Sequence, residues 1–165
     1  MRLRDELFHL KRPDPVLEIF VDADACPVKA EVERVATRHG LKVHLVSNSG
    51  MRPTGNPLVH NVVVSDGADA ADDWIAQHVG PGDLVITADI PLASRSLDKG
   101  ARVIGPKGKT FTAQNIGMAL ATRALLQHHR EAEGTQTFNA GFGPRDRSNF
   151  LNVLENEIQA IKRSR

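Results

Sequence analysis

The sequence predicts one α/β domain, a three-layer sandwich in which helices cover both faces of a mostly parallel central sheet. Short apolar segments alternate with segments whose apolar residues recur at helical spacing, which is typical of parallel sheets. The apolar segments show no polar alternation, as expected for strands that are buried on both faces. A chain of 165 residues with 41% hydrophobic content is also long enough to bury one substantial core.

Five strands and five helices can be placed along the chain. The polar stretch 1–15 contains two prolines and is predicted to be a loose lead-in, so the domain itself is expected at 16–165. Turn-forming residues at 49–57 predict a surface loop, and 134–144 is also predicted to be a loop. The predicted strands are 17–21, 41–46, 61–64, 83–87 and 101–104, and the predicted helices are 28–40, 68–79, 92–97, 115–129 and 147–161.

Polar side chains follow four of the predicted strands. Asp22 and Asp24 follow the first strand, Asn48 the second, Asp66 the third and Asp89 the fourth. The carboxyl ends of parallel strands open onto one edge of the sheet, and open α/β folds build their sites there. The sequence therefore predicts a functional site at this edge.

The helix after the third strand brings further acids to the same edge. Its buried stripe leaves Asp69 and Asp72 together on one flank, whereas Asp73 points furthest toward solvent. Carboxylates packed together repel one another unless protons or a hard cation lie between them. We therefore expect a Mg²⁺ or Mn²⁺ site, an ion type that prefers oxygen ligands and can activate water for phosphoryl transfer. The predicted metal-binding residues are Asp22, Asp24, Asp69, Asp72 and Asp89.

Helix capping is the alternative explanation for some of these acids. Asp66 could be the N-cap of the helix, and Asp69 could be a first-turn acid that interacts favourably with the helix dipole. This explanation is weaker for Asp22 and Asp89, because both follow strands directly.

The charge distribution suggests an anionic substrate. Residues 1–89 hold 9 Lys and Arg against 14 Asp and Glu, whereas residues 90–165 hold 12 against 6. Arg145 and Arg147 lie in a predicted stiff turn that could aim guanidinium groups at phosphate. The expected substrate-binding residues are Asn48, Lys107, Arg145 and Arg147, with Lys109 and Arg123 as further basic candidates; solvated surface charge is the alternative for the basic residues.

Several protein classes are disfavoured by composition. No apolar run approaches the ~18 residues of a membrane span, and the N-terminus lacks the apolar core of a signal peptide. The single cysteine fits a reducing compartment, so a cytoplasmic location is expected. An aromatic content of 4% argues against a binder of single strands built on stacking platforms. The sequence does not indicate an oligomeric state.

Five motifs together resemble the YaiI/YqxD family of uncharacterised bacterial proteins. They are Asp-Ala-Asp-Ala-Cys-Pro-Val, Ser-Asn, Gly-Ala-Asp-Ala-Ala-Asp-Asp-Trp-Ile, Thr-Ala-Asp-Ile-Pro-Leu-Ala and Gly-Pro-Arg-Asp-Arg, which run in this order between about residues 17 and 154. The resemblance implies a PIN-like domain, a class that includes metal-dependent ribonucleases with an acidic centre, and hence RNA as a substrate. Asp22, Asp72 and Asp89 match the PIN acids, and the resemblance implies that they are the catalytic ligands, whereas Asp24 and Asp69 have no firm PIN counterpart. A counterpart of the mid-chain Glu of many PIN domains is not found.

Two other functions remain open at this point. Asp22-x-Asp24 after a strand also resembles the nucleophile and general acid of haloacid-dehalogenase-like phosphatases, in which Asp22 would form an aspartyl-phosphate. Ser47-Asn48 resembles the second motif of those enzymes, but Asp83 precedes its strand instead of following it. The third possibility is a nucleic-acid-binding or protein-binding module without catalysis.

Overall fold

The computed structural model describes residues 16–24, 26–50, 52–65, 67, 69–133 and 141–164, and at 129–133 it describes the backbone alone. The predicted lead-in at 1–15 and most of the predicted loop at 134–144 lie outside the described residues. The strands are β1 (Ile19–Asp22), β2 (Val43–Ser47), β3 (Val59–Val63), β4 (Leu84–Ile86), β5 (Arg102–Ile104) and β6 (Thr110–Phe111). The helices are α1 (Lys29–His39), α2 (Ala70–His78), α3 (Ile90–Asp98), α4 (Ile116–Glu133) and α5 (Pro144–Arg163).

The six strands form one sheet in the order β3-β2-β1-β4-β5-β6. All neighbouring pairs are parallel except β5 and β6, which form an antiparallel hairpin. The chain therefore first adds β2 and β3 on one side of β1. It then returns to the other side of β1 and adds β4, β5 and β6. The strand order reverses between β1 and β4, which is where open α/β sheets form their binding crevice.

Two apolar cores lie on the two faces of the sheet. Alternate residues of β1 enter different cores, because successive side chains of a strand point to opposite faces. Ile19 and Val21 pack with α1 and α5 on one face. Phe20 packs on the other face with residues of α2, α3 and α4. The predicted three-layer α/β fold of a single domain is confirmed.

Two details of the C-terminal part differ from the sequence-based expectation. The short strand β6 was not predicted, because two residues carry no measurable periodicity. The predicted stiff turn at 143–147 is wrong, because α5 begins at Pro144. Proline suits the first position of a helix, where its missing N–H would have had no intrahelical partner. Across the described part of the chain, no helix is both long and apolar enough to cross a membrane.

Candidate functional site

The two acids that follow β1 and β4 lie on either side of the switch point. Asp22 is the last residue of β1, and β1 pairs directly with β4. Asp89 follows β4 after a short bend and immediately precedes α3. Both side chains are partly buried, so they sit at the mouth of the crevice.

Thr87 connects these two acids. Its side chain is only 1% exposed, and its Oγ1 donates a hydrogen bond of 3.0 Å to Oδ2 of Asp22. The same Oγ1 accepts a hydrogen bond of 2.9 Å from the backbone N–H of Asp89. The hydroxyl therefore fixes the orientation of the Asp22 carboxylate and the path of the chain into Asp89. The sequence prediction did not assign a role to Thr87, although its polar side chain at the end of an apolar strand was a usable signal.

Asp89 also caps a helix. It is the N-cap of α3, and its Oδ1 accepts a hydrogen bond of 2.8 Å from the N–H of Leu92. The alternative explanation of the acids had assigned helix capping to Asp66 and Asp69 instead. Asp69 is the N-cap of α2, where the prediction made it a first-turn acid, and its side chain makes no capping hydrogen bond. Asp66 lies outside the described residues.

Asp72, in the first turn of α2, interacts electrostatically with these acids. Burial, reinforced by the nearby carboxylates of Asp89, Asp22 and Asp69 and opposed by Arg95, raises the pKa of Asp72 to about 6. Burial also raises the pKa of Asp22, an effect opposed by the Thr87 hydrogen bond and reinforced by Asp89 and Asp24. The five predicted acids are therefore close enough to interact. We call Asp22, Asp72 and Asp89 the acidic cluster.

The remaining acids are more exposed than the acidic cluster. Asp24 is exposed and its Oδ2 accepts a hydrogen bond of 2.9 Å from the backbone N–H of Asn48. Asp69 is also exposed. Asp73, expected on the solvent face, is paired there with Arg95 at 2.8 Å. Asp24 and Asp69 thus lie at the rim of the site.

Asn48 joins two loops at the carboxyl edge. Its Nδ2 donates hydrogen bonds to the backbone carbonyls of Ser65 at 2.8 Å and Gly67 at 3.3 Å. The side-chain amide that was expected to bind substrate is therefore used to hold the segment leading to α2.

The acidic cluster offers the type of ligand atom that a hard divalent cation prefers. Its carboxylates are less well arranged in space to hold such an ion. All its side-chain donors are carboxylate oxygens, the ligands that Mg²⁺ and Mn²⁺ prefer. One oxygen of Asp22 and one of Asp89 are already hydrogen-bonded within the protein. Over the described residues, no group of three or more His, Cys, Asp or Glu side chains is arranged to hold a metal ion. An ion held by one or two carboxylates and several waters, as is usual for Mg²⁺, fits these residues.

The predicted basic residues divide into two kinds. The backbone carbonyl of Lys107 accepts a hydrogen bond of 2.8 Å from Nδ2 of Asn149, and Arg145 lies one turn before Asn149 on α5. Lys107 and Arg145 are both exposed, and the contact between Asn149 and Lys107 brings them near each other. Arg147 instead lies 3.7 Å from the carboxylate of the buried Glu31, and its guanidinium lies 5.4 Å from the ring centroid of Phe142. Arg147 therefore has a structural partner in α1.

Asp83 lies away from the acidic cluster. Its Oδ1 accepts a hydrogen bond of 3.0 Å from the N–H of Glu18, and its Oδ2 accepts one of 2.9 Å from the N–H of Gly80. Both contacts lie at the amino ends of β1 and β4. Asp83 thus cannot serve as the third acid of a phosphatase-like site at the opposite edge.

These features define an α/β protein with a carboxylate cluster at the switch point of a parallel sheet. The chain belongs to the family described as "Uncharacterized BCR, YaiI/YqxD family", whose model matches residues 20–160. It is 59% identical to a UPF0178 protein of Parvibaculum lavamentivorans over 146 residues, which cover 88% of this chain and 96% of the relative. It is 54% identical to a UPF0178 protein of Rhodospirillum rubrum over 150 residues, which cover 90% of this chain and 100% of the relative. No solved structure was found that matches the chain. The predicted family is thereby confirmed.

Proposed function

We propose that this protein is a divalent-metal-dependent nuclease that hydrolyses phosphodiester bonds of RNA. The observation that carries the proposal is that Thr87 is hydrogen-bonded to Asp22 and to Asp89 on either side of the switch point, and the electrostatic interaction of Asp72 with both acids supports it. A strand order that reverses beside carboxylates supports a PIN-like interpretation of the fold.

The ion would be held by Asp22 and Asp72 or Asp89, with Asp24 and Asp69 acting through water. When bound, Mg²⁺ or Mn²⁺ supplies an activated water and stabilises the charge that develops on the phosphate oxygens. Thr87 keeps the Asp22 carboxylate oriented through its 3.0 Å hydrogen bond. Lys107 and Arg145, which are both exposed beyond β5, would attract and hold the anionic RNA.

The deciding experiment is cleavage of a labelled single-stranded RNA with and without Mn²⁺. The matched variant is Asp89→Asn, because Asn is as good an N-cap as Asp and keeps α3 capped. We expect wild-type cleavage that EDTA abolishes, and a loss of about 100-fold or more in the variant, which corresponds to about 2.7 kcal/mol of transition-state stabilisation. Equal rates for wild type and variant would refute catalysis by the acidic cluster.

The same preparation distinguishes the other two functions. Hydrolysis of a generic phosphate monoester, abolished in Asp22→Asn, would favour the aspartyl-phosphate mechanism instead. RNA binding without any hydrolysis would favour a module without catalysis.

A further inference from the structure

A groove opens beside the acidic cluster, between the first half of α4 and the segment that carries Asp89. Its volume is about 500 Å³, within the range of roughly 300–1,000 Å³ that is usual for small-ligand sites. Ala88 and Ile90, the two neighbours of Asp89 in the chain, line one side, and α4 lines the other. We call this the α4 groove. The α4 groove therefore borders the segment that carries Asp89, one residue of the acidic cluster.

The charge of the α4 groove is positive. Lys109, from the β5–β6 hairpin, and Arg123, from α4, both line it, and none of its described lining residues is acidic. Neither cation forms an ion pair with a described residue, and Lys109 Nζ lies 5.5 Å from the ring centroid of Phe111. Two cations without a counterion among the described residues favour an anionic ligand.

Two large apolar side chains that line the α4 groove are unusually exposed. Met118 is 73% exposed and Leu126 is 45% exposed, and both lie on the α4 side of the α4 groove. Large apolar side chains beside cations match a ligand that has both a negative charge and a flat apolar part. A nucleotide has both.

We propose that the α4 groove binds the nucleotide of a single-stranded RNA that neighbours the phosphodiester at the acidic cluster. Lys109 and Arg123 contact its phosphates, and its base lies against Met118 and Leu126. This inference rests on the proposed nuclease function and assigns the substrate strand a path. A single strand is required because a base in a duplex is stacked and paired, and cannot lie against a side chain.

The test measures binding of fluorescein-labelled octauridylate by anisotropy at several salt concentrations, in an Asp22→Asn background that prevents cleavage. We expect Lys109→Gln/Arg123→Gln to weaken binding about 10-fold and to reduce the slope of log K against log salt by about 1.4, the value for two phosphate contacts on a single strand. Thr122→Trp, on the exposed surface of α4, should weaken binding by filling the α4 groove without changing charge. The matched control is Lys42→Gln/Lys99→Gln, which removes the same charge from exposed positions at the amino edge of the sheet and should change binding little.

The outcomes separate the groove from the nuclease function. If the protein cleaves RNA and the groove variants bind like their parent, the groove proposal is overturned and the nuclease stands. If groove variants lose binding in a protein that cleaves nothing, the groove is supported and the nuclease is not. An equal loss in the Lys42/Lys99 control, equally tight binding of an octamer duplex, or no RNA binding at all would each overturn the groove proposal.

Discussion

At the scale of single residues, one hydroxyl organises the acidic cluster. Thr87 has β-branched shape and fits the buried end of β4, where its Oγ1 can reach Asp22 while it accepts the N–H of Asp89. A carboxylate that accepts a hydrogen bond is stabilised in its charged form. The Thr87 hydrogen bond therefore partly offsets the rise in the pKa of Asp22 that burial causes. Thr87 is therefore a positioning residue between two acids.

We expect Thr87→Val, which keeps the shape and removes the hydroxyl, to lower the free energy of unfolding by about 1–2 kcal/mol, because the Asp89 N–H loses its partner. The Mn²⁺ concentration for half-maximal RNA cleavage should rise about 10–100-fold, as is usual when a residue that orients a metal ligand is lost. Thr87→Ser restores the hydroxyl and should recover both properties. A Val variant with unchanged metal dependence would contradict the positioning role.

The raised pKa of Asp72 predicts how stability depends on pH in EDTA. Because its pKa is about 6 in the folded protein and 3.8 ordinarily, the folded state binds the proton more tightly. The resulting contribution to the free energy of unfolding is complete below about pH 3.8 and is lost as the pH rises through 6. We expect Asp72→Asn to flatten the stability profile between these values and to stabilise the protein at pH 7.5 by about 1–2 kcal/mol, after allowance for solvent screening. Thermal unfolding across this pH range provides the measurement; Asp73→Asn, at the ion-paired exposed site, is the control.

At the scale of elements, helix starts gather at the carboxyl edge of the sheet. The first residues of α2 and α3 follow Asp69 and Asp89, and α5 begins beside α1, where Arg147 meets Glu31. The positive ends of the helix dipoles there offset part of the repulsion among the carboxylates. The contact between Arg147 and Glu31 holds the first turns of α5 and α1 together.

Arg145 and Arg147 should behave differently although both were expected to bind phosphate. Arg147→Gln leaves the Glu31 carboxylate, which is 4% exposed, without its cation and should destabilise the protein by about 1–3 kcal/mol. Arg145→Gln changes an exposed charge and should leave stability nearly unchanged while weakening RNA binding. Chemical denaturation of both variants tests this, and equal stability would contradict the structural role of Arg147.

At the scale of the whole molecule, the strand order brings the acidic and basic parts of the chain to one edge. The acidic cluster comes from β1, α2 and the start of α3, whereas α4 and α5 supply basic side chains. Because β1 and β4 are adjacent, residues that are 67 positions apart in sequence meet across the crevice. This arrangement is suited to an anion held beside a cation.

A metal ion that binds the folded protein should raise its melting temperature by mass action. At ten times the dissociation constant of Mn²⁺, we expect a rise of about 3–6 °C for a domain of this size. The same addition should shift Asp22→Asn much less, since the variant lacks one carboxylate of the acidic cluster. Scanning fluorimetry at constant ionic strength provides the measurement. An equal rise in the variant would place metal binding elsewhere.

The sequence by itself determined the order and type of ten of the eleven described elements, and it identified the acids at the carboxyl edge. This was possible because apolar spacing reports local structure, and because parallel strands open onto a shared edge. Only the tertiary structure showed the adjacency of β1 and β4, the two contacts of Thr87, the capping role of Asp89 and the pairing of Arg147 with Glu31. The Asp89 cap and the Thr87–Asp89 hydrogen bond are local but need the true start of α3, whereas the other contacts join residues distant in the chain. Periodicity carries no record of such neighbours, because long-range packing selects them.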